Sequence, residues 1–495
     1  MARRRVAVIG LDSLDPTLIR VWAHNGVMPT FGRLFRDAAW SLSQTPDAFY
    51  VGAVWPSLTM SVNALRHGRY CYSQLRPGSY RNAWHWVTEL KREHFWSHLS
   101  IAGRRVAIFD VPKSKPSAAL NGTEIIDWGT HDPERLGFMA SPNGTAEHIR
   151  RHYGKEPVGS CDNVGPGAGA AADFVAHLHQ RLASKEAIAR DILSDESWDF
   201  AAVGFAESHC VGHRLWSVHD TAHPRHDRAV AAAIGDPIRD VYAALDAALG
   251  RLLERIPPDI SVLVVASHGI GPHYDGTHLM KEVLKRINRG LPHGRIPMPS
   301  LEPLLGFAAV PTEGNWRSTL RSIKTGAERS IEKSFFIPNN EAFLGVRVNL
   351  IGREPAGRIR PGDEFEGYTD ALIDELALLT NGPDGPPAFL RVARTRDLYG
   401  VDDIGTFPDI VAEWVRSGPY NSLNSAMIGA VHGRYDGVRT GDHVPNGLVF
   451  ALGPGMPTGA QADVAHIDLG PSVANLLGVA PADWDGRPYP FLPAA

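Results

Sequence analysis

The run Ile260-Ser261-Val262-Leu263-Val264-Val265-Ala266-Ser267-His268-Gly269 decides how this chain folds. Residues 260–266 are rich in β-branched side chains and almost wholly apolar. A short run of that kind is expected to be a strand buried on both faces, as in a parallel sheet. Polar residues, Ser267-His268-Gly269, follow at once. In open α/β sheets the carboxyl ends of the strands are where ligands gather.

Outward from that run the same pattern recurs. Residues 5–10 (RVAVIG) lead into Asp12, and residues 200–205 lead into Glu207-Ser208-His209-Cys210-Val211-Gly212-His213. Residues 448–452 form another expected strand, preceded by Gly441-Asp442-His443. Residues 105–109 and 124–128 are further strand candidates. Helices are expected at 16–36, broken around 26–29, and at 174–193, 236–256 and 469–477, where apolar residues recur at helical spacing. Asp468 is a candidate N-cap for the last, and Pro471 is tolerable in its first turn. Strands alternating with helices at both ends of the chain predict an α/β fold, with a mostly parallel central sheet and helices on both faces. Residues 290–418 break the pattern. They are rich in Pro and Gly, with apolar stretches at 335–338 and 343–350 and a helix near 368–379. They are expected to form an insertion or cap on a core made of 1–289 and 419–495.

Composition bounds the partners. The 495 residues carry a formal charge of -4, which gives no basic face for a nucleic acid polymer. No apolar run reaches the 18 residues of a membrane span, and the apolar stretch behind the basic start is too short for a secretory signal. Three cysteines, Cys71, Cys161 and Cys210, are too few and too scattered for a disulfide framework, so a cytoplasmic setting is expected. Histidine, the commonest metal ligand, is plentiful at 22.

His209 and His213 are four apart, which places both rings on one face of a helical turn. Two imidazoles so spaced, with a third ligand from elsewhere, are a common way to hold a zinc-like ion while leaving a position open. His443 is the candidate third ligand. Cys210, between the pair, points off their face and is expected to be a packed thiol.

Taken together, Asp12 after the first strand, the Glu207/His209/His213 element, Ser267-His268-Gly269 and His443 resemble the alkaline-phosphatase superfamily. The similarity is closest to its type I phosphodiesterase/nucleotide pyrophosphatase-like branch. Val54-Trp55-Pro56-Ser57-Leu58-Thr59 with Arg66-His67-Gly68-Arg69-Tyr70, and residues 467–479 followed by Asp485-Gly486-Arg487-Pro488, also match. The resemblance implies an alkaline-phosphatase-like core, metal-dependent hydrolysis of a small phosphate mono- or diester, and one or two Zn2+ ions, with Mn2+ or Fe as other candidates. It assigns Asp12 and His268 to one ion and His209, His213 and His443 to the other.

Two departures are informative. His209 stands where the family usually has aspartate, and Ser267 where it usually has the aspartate of Asp-His-Gly. The Asp12/His268 site is thereby thinned, with Glu207, His273 or Asp275 as candidate replacement ligands. The usual nucleophile position falls on Val51, which cannot attack. Ser57 and Thr59 are the nearby candidate catalytic hydroxyls, with hydroxide generated at an ion as the alternative. His273, Tyr274, Asp275 and His278 are weaker candidates for lining the site. Trp216, His219 and Asp220 are weaker candidates for orienting a ligand, and Arg66 and Arg69 for contacting phosphate. The same departures also fit a non-hydrolytic or catalytically altered descendant, either a binding or scaffold protein or a single-metal enzyme with different chemistry.

Overall fold

Residues 261–266 form the central strand of the molecule, Ser261–Ala266, paired in parallel with Val6–Leu11. The computed structural model describes residues 4–131, 136–291, 316–340 and 342–493. The part of the expected cap at 292–315 lies outside them. Among the described residues the main sheet has ten strands. Its parallel centre runs Ser261–Ala266, Val6–Leu11, Phe200–Phe205, Val106–Phe109, Gly122–Ile126. The strand Gly447–Leu452 joins antiparallel between Ser261–Ala266 and Ala39–Gln44, and Met139–Ser141 closes the far edge antiparallel.

Alternate residues of each central strand enter different cores. Ala7, Ile9, Leu11, Ala201, Val203, Phe205, Val262 and Val264 face the helices Pro16–His24, Pro29–Asp37, Ala168–Ser194 and Pro237–Leu253. Val6, Val8, Phe200, Ala202, Leu263 and Val265 face Tyr50–Met60, Phe95–Ile101 and Leu469–Leu477. Fully burying each of the Val, Ile, Leu and Phe side chains among them contributes about 1.5–3 kcal/mol, which explains why these strands show no polar alternation.

Capping fixes the helices locally. Asp15 accepts from the N–H groups of Thr17 and Leu18, and Asp236 from that of Arg239, each ahead of a proline at the helix start. Asp246, from the Pro237–Leu253 helix, accepts from Thr30 and Phe31 and so caps Pro29–Asp37 from outside. Asp468 does not cap the final helix. Its carboxylate accepts from the N–H groups of Ala465 and Arg487, because a 3-10 turn, His466–Asp468, precedes the helix and tilts the side chain backward.

The second body holds a four-stranded antiparallel sheet in the order Ser334–Ile337, Phe343–Val348, Ile410–Trp414, Phe389–Arg394. The helix Asp363–Ala377 covers it. Its apolar cluster also takes in Met280, Val283, Leu284 and Ile287 before residue 290, and Leu423 and Val431 after 418. Composition missed these ends because the helix Met280–Gly290 is amphipathic like any core helix.

Candidate metal centre

Three parallel strands end level. Leu11 lies opposite both Phe205 and Ala266, so Asp12, Glu207 and Ser267-His268 leave the sheet along one rim. Pairing continues one residue further, with Asp12 N–H donating to the Phe205 carbonyl and Ser267 N–H to that of Leu11. The strand Gly441–Val444 pairs with Gly269–Pro272, setting His443 opposite Ile270 at the same rim.

The helix Glu207–His219 carries His209 and His213 with ring centres 4.6 Å apart. The His443 ring lies 4.5 Å from that of His213 and 4.9 Å from that of His209. The Nε2 atoms of His213 and His443 are 3.2 Å apart. Two nitrogens bound to one tetrahedral ion at 2.0–2.1 Å would lie about 3.3 Å apart. All three histidines are buried, their ligand atoms fall within 4.8 Å of one another, and the buried Nε2 of His209 has no hydrogen-bond partner among the described residues. This donor set fits a divalent transition-metal ion of the zinc class.

The other nitrogens are anchored. His209 Nδ1–H donates to Asp12 Oδ2 at 2.6 Å, and His213 Nδ1–H to the Gly441 carbonyl at 2.8 Å. Gly441 permits the second contact: a Cβ there would stand 2.3 Å from the Gly212 carbonyl oxygen. Tyr50 and Arg416 both donate to the His443 carbonyl. Burial is the largest influence on these imidazoles. It pushes His209 down to about 4 and His213 and His268 well below their usual value, so all three are held in the neutral, ligating form. Burial opposes the Asp12 charge, but His209, His268 and the Trp55 indole hold its carboxyl far below the usual range.

Asp12 is already engaged. Its Oδ1 accepts from Trp55 Nε1–H at 2.7 Å and from the Ser267 hydroxyl at 3.1 Å. Gly10 leaves room for that indole, since a Cβ there would stand 2.9 Å from its ring. His268 Nδ1 shares a hydrogen bond with Ser13 Oγ at 3.0 Å, and the His268 ring lies 4.5 Å from that of His443. Glu207 turns the other way, into an ion pair of 2.7 Å with Arg181. Ser57 pairs with His67 Nε2, and Thr59 with the Trp55 carbonyl and His94.

A cavity of about 410 Å³ opens on His209 and His443 and is lined by Val51, Arg69, Lys113, His131, Asp162 and Arg439 among others. Neither Ser57 nor Thr59 lines it, and no Ser, Thr or Cys is among its lining residues, whereas Val51 is. Of the weaker candidates, His273 and Asp275 form their own 2.5 Å pair and line a neighbouring cavity of about 300 Å³ with Tyr274. His278 is exposed. His219 pairs with Asp236, the Asp220 N–H donates to the Trp216 carbonyl, and Trp216 packs edge-on against His219. Arg66 is bound to Asp483 and Asp485. The reading from sequence missed His131, Lys113 and Arg439. His131 and Lys113 follow the carboxyl ends of Gly122–Ile126 and Val106–Phe109, so the strand-end rule that found Asp12 could have found them.

The family profile described as type I phosphodiesterase / nucleotide pyrophosphatase matches residues 6–304. Among solved structures, murine ectonucleotide pyrophosphatase / phosphodiesterase 5 is similar, with a TM-score of 0.50 at 11% identity over 98% of each chain. Phosphonoacetate hydrolase from Sinorhizobium meliloti 1021 is similar in its complexes with phosphonoformate and phosphonoacetate. The TM-scores are 0.52 and 0.53, at 12% identity over 96% of each chain. At these identities the likeness is one of fold. No curated protein matches the chain in sequence.

Proposed function

This chain belongs to the type I phosphodiesterase/nucleotide pyrophosphatase family of phosphoester hydrolases, within the alkaline-phosphatase superfamily, and from that premise we propose that it hydrolyses a small phosphate mono- or diester with a divalent ion held by His209, His213 and His443. The observation that carries this reading is the 3.2 Å approach of the His213 and His443 Nε2 atoms beside the cavity that His209 and His443 line. An ion there would polarise a phosphoryl oxygen and lower the pKa of water.

The chain's own residues do the rest. Arg69 and Lys113 bring positive charge to the cavity, beside an Arg439–Asp162 ion pair, and favour an anionic phosphate. Asp12 and the Gly441 carbonyl hold the His209 and His213 rings in place. Val51, in the first turn of Tyr50–Met60, lines the cavity where the family's nucleophile is usual. Water is therefore the nucleophile in this proposal, and Ser57 and Thr59 serve the helix and its packing.

The test pairs metal analysis with turnover of aryl phosphate mono- and diesters, and of a carboxylated phosphonate of the kind bound by the bacterial structural neighbour. His213→Ala should lose both the ion and the activity. Activity that survives this change defeats the ion assignment. Absence of turnover in the zinc- or manganese-loaded wild type would favour the catalytically altered descendant instead.

A further inference from the structure

Cys210 sits between His209 and His213 in sequence, and helical phase turns it off their face. Its Sγ lies 3.7 Å from His131 Nδ1, and Cys161 Sγ lies 3.1 Å from the same nitrogen. The three side chains are buried, and their ligand atoms fall within 4.8 Å of one another. They arrive from three separate segments: the loop after Gly122–Ile126, the turn Cys161–Asn163, and the helix Glu207–His219. We propose that His131, Cys161 and Cys210 form a second cation site, separate from the three-imidazole centre, for one soft or borderline ion of the zinc or copper(I) class.

Donor type and spacing both support this. Two sulfurs and an imidazole select soft and borderline ions over magnesium or calcium. A tetrahedral zinc with sulfur at about 2.3 Å and nitrogen at about 2.0 Å holds its sulfur and nitrogen ligands about 3.5 Å apart. The observed 3.1 and 3.7 Å bracket that value. Positive charge stands beside the sulfur, since the buried Arg181 guanidinium lies 3.2 Å from Cys210 Sγ while also contacting Glu207 and Glu156. An ion has a way in, because His131 lines the same cavity as His209 and His443. Each thiol that ligates releases its proton to solvent, so loading the site acidifies a weakly buffered solution.

The site also touches the first. The His131 ring centre lies 4.0 Å from that of His209, so an ion on the sulfurs fixes the packing of a ligand in the neighbouring centre.

The deciding experiment is X-ray absorption at the zinc edge on the full chain, kept reduced and loaded with excess zinc. The expected spectrum has a sulfur shell at about 2.3 Å beside nitrogen at about 2.0 Å, with more than one zinc per chain. The double variant Cys161→Ser/Cys210→Ser should lose the sulfur shell and one equivalent of zinc. His213→Ala should keep the sulfur shell. Cys71→Ser should keep it too, because Cys71 bonds to Asn340 elsewhere. A wild-type spectrum with nitrogen and oxygen scatterers only overturns the proposal, and that measurement stands even if the double variant does not fold. A sulfur shell that persists in the folded double variant overturns it equally.

Discussion

The two halves of the rim meet the same requirement in opposite ways. On one side, His209, His213 and His443 turn nitrogen lone pairs toward one point, and the His209 Nε2 has no hydrogen-bond partner among the described residues. On the other, Asp12 accepts from Trp55, Ser267 and His209, and His268 pairs with Ser13. A buried polar atom without a partner is costly, and a buried carboxylate without counter-charge more so. The first half leaves that cost for a cation to relieve. The second relieves it internally, with a serine hydroxyl where the family usually has a ligand. In the reading proposed above, a single side chain, Ser267, moves one half from holding an ion to holding itself.

The largest effect that can break this contrast is loss of a ligand. His443→Ala should weaken zinc affinity by more than about 100-fold, since even partners behind a ligand contribute about 10- to 100-fold. Titration calorimetry reads this directly, and a loss below tenfold would merge the two halves. Asp12→Asn should weaken the same affinity by about 10- to 100-fold through the His209 anchor. Complete loss of the ion in that variant would make Asp12 a direct ligand. Ser267→Asp should destabilise the metal-free protein, measured as a lower Tm, because two carboxylates then crowd one buried spot. Zinc should restore the Tm and bind with about one further equivalent. No rescue by zinc would show that the self-satisfied half cannot be reopened.

A smaller effect separates the rim from the helices behind it. His67 and His94 are pushed down to about 3, in both cases chiefly by burial, against an ordinary value of 6.5. Below pH 6.5 the unfolded chain takes up two protons that the folded chain refuses. Stability is therefore complete above pH 6.5 and falls as pH drops toward 3, with a limiting slope of about 1.4 kcal/mol per pH unit for each histidine. Denaturant melts of the metal-free protein across that window check the sign. A stability flat from pH 6.5 to 4.5 would contradict it. The smallest effect is expected at Ser57→Ala. Turnover should stay within about threefold of wild type, and stability should fall by about 1 kcal/mol for the lost bond to His67. A collapse of turnover with folding intact would restore Ser57 as nucleophile.

The parallel core was legible because a strand buried on both faces must be apolar throughout, and residues 200–205 and 262–266 are. Strand direction was not legible, since period and composition are the same forward and backward. Hence Gly447–Leu452 gave no sign of running antiparallel. The gathering of His209, His213 and His443 was legible from the His209/His213 spacing and from His443 standing just before the expected strand at 448–452. The hydroxyls near Pro56 lie off the cavity because helix phase, not proximity in sequence, decides what a side chain meets. Val51 and Trp55, four apart, reach the cavity and Asp12, whereas Ser57 and Thr59 turn toward His67 and His94. Cys210 was half legible: phase told where it does not point, but its partners His131 and Cys161 are brought to it only by tertiary structure.

The anchoring of His209 and His213 through Nδ1 has a kinetic side. With those protons committed to Asp12 and to the Gly441 carbonyl, the tautomer of each ring is chosen before any ion arrives. An incoming cation meets rings that need neither rotate nor exchange a proton, so the rate of capture is left to the shedding of its hydration water. Metals that hold their water loosely should then load fastest, and the order in which ions enter would follow their water-exchange rates rather than their final affinities.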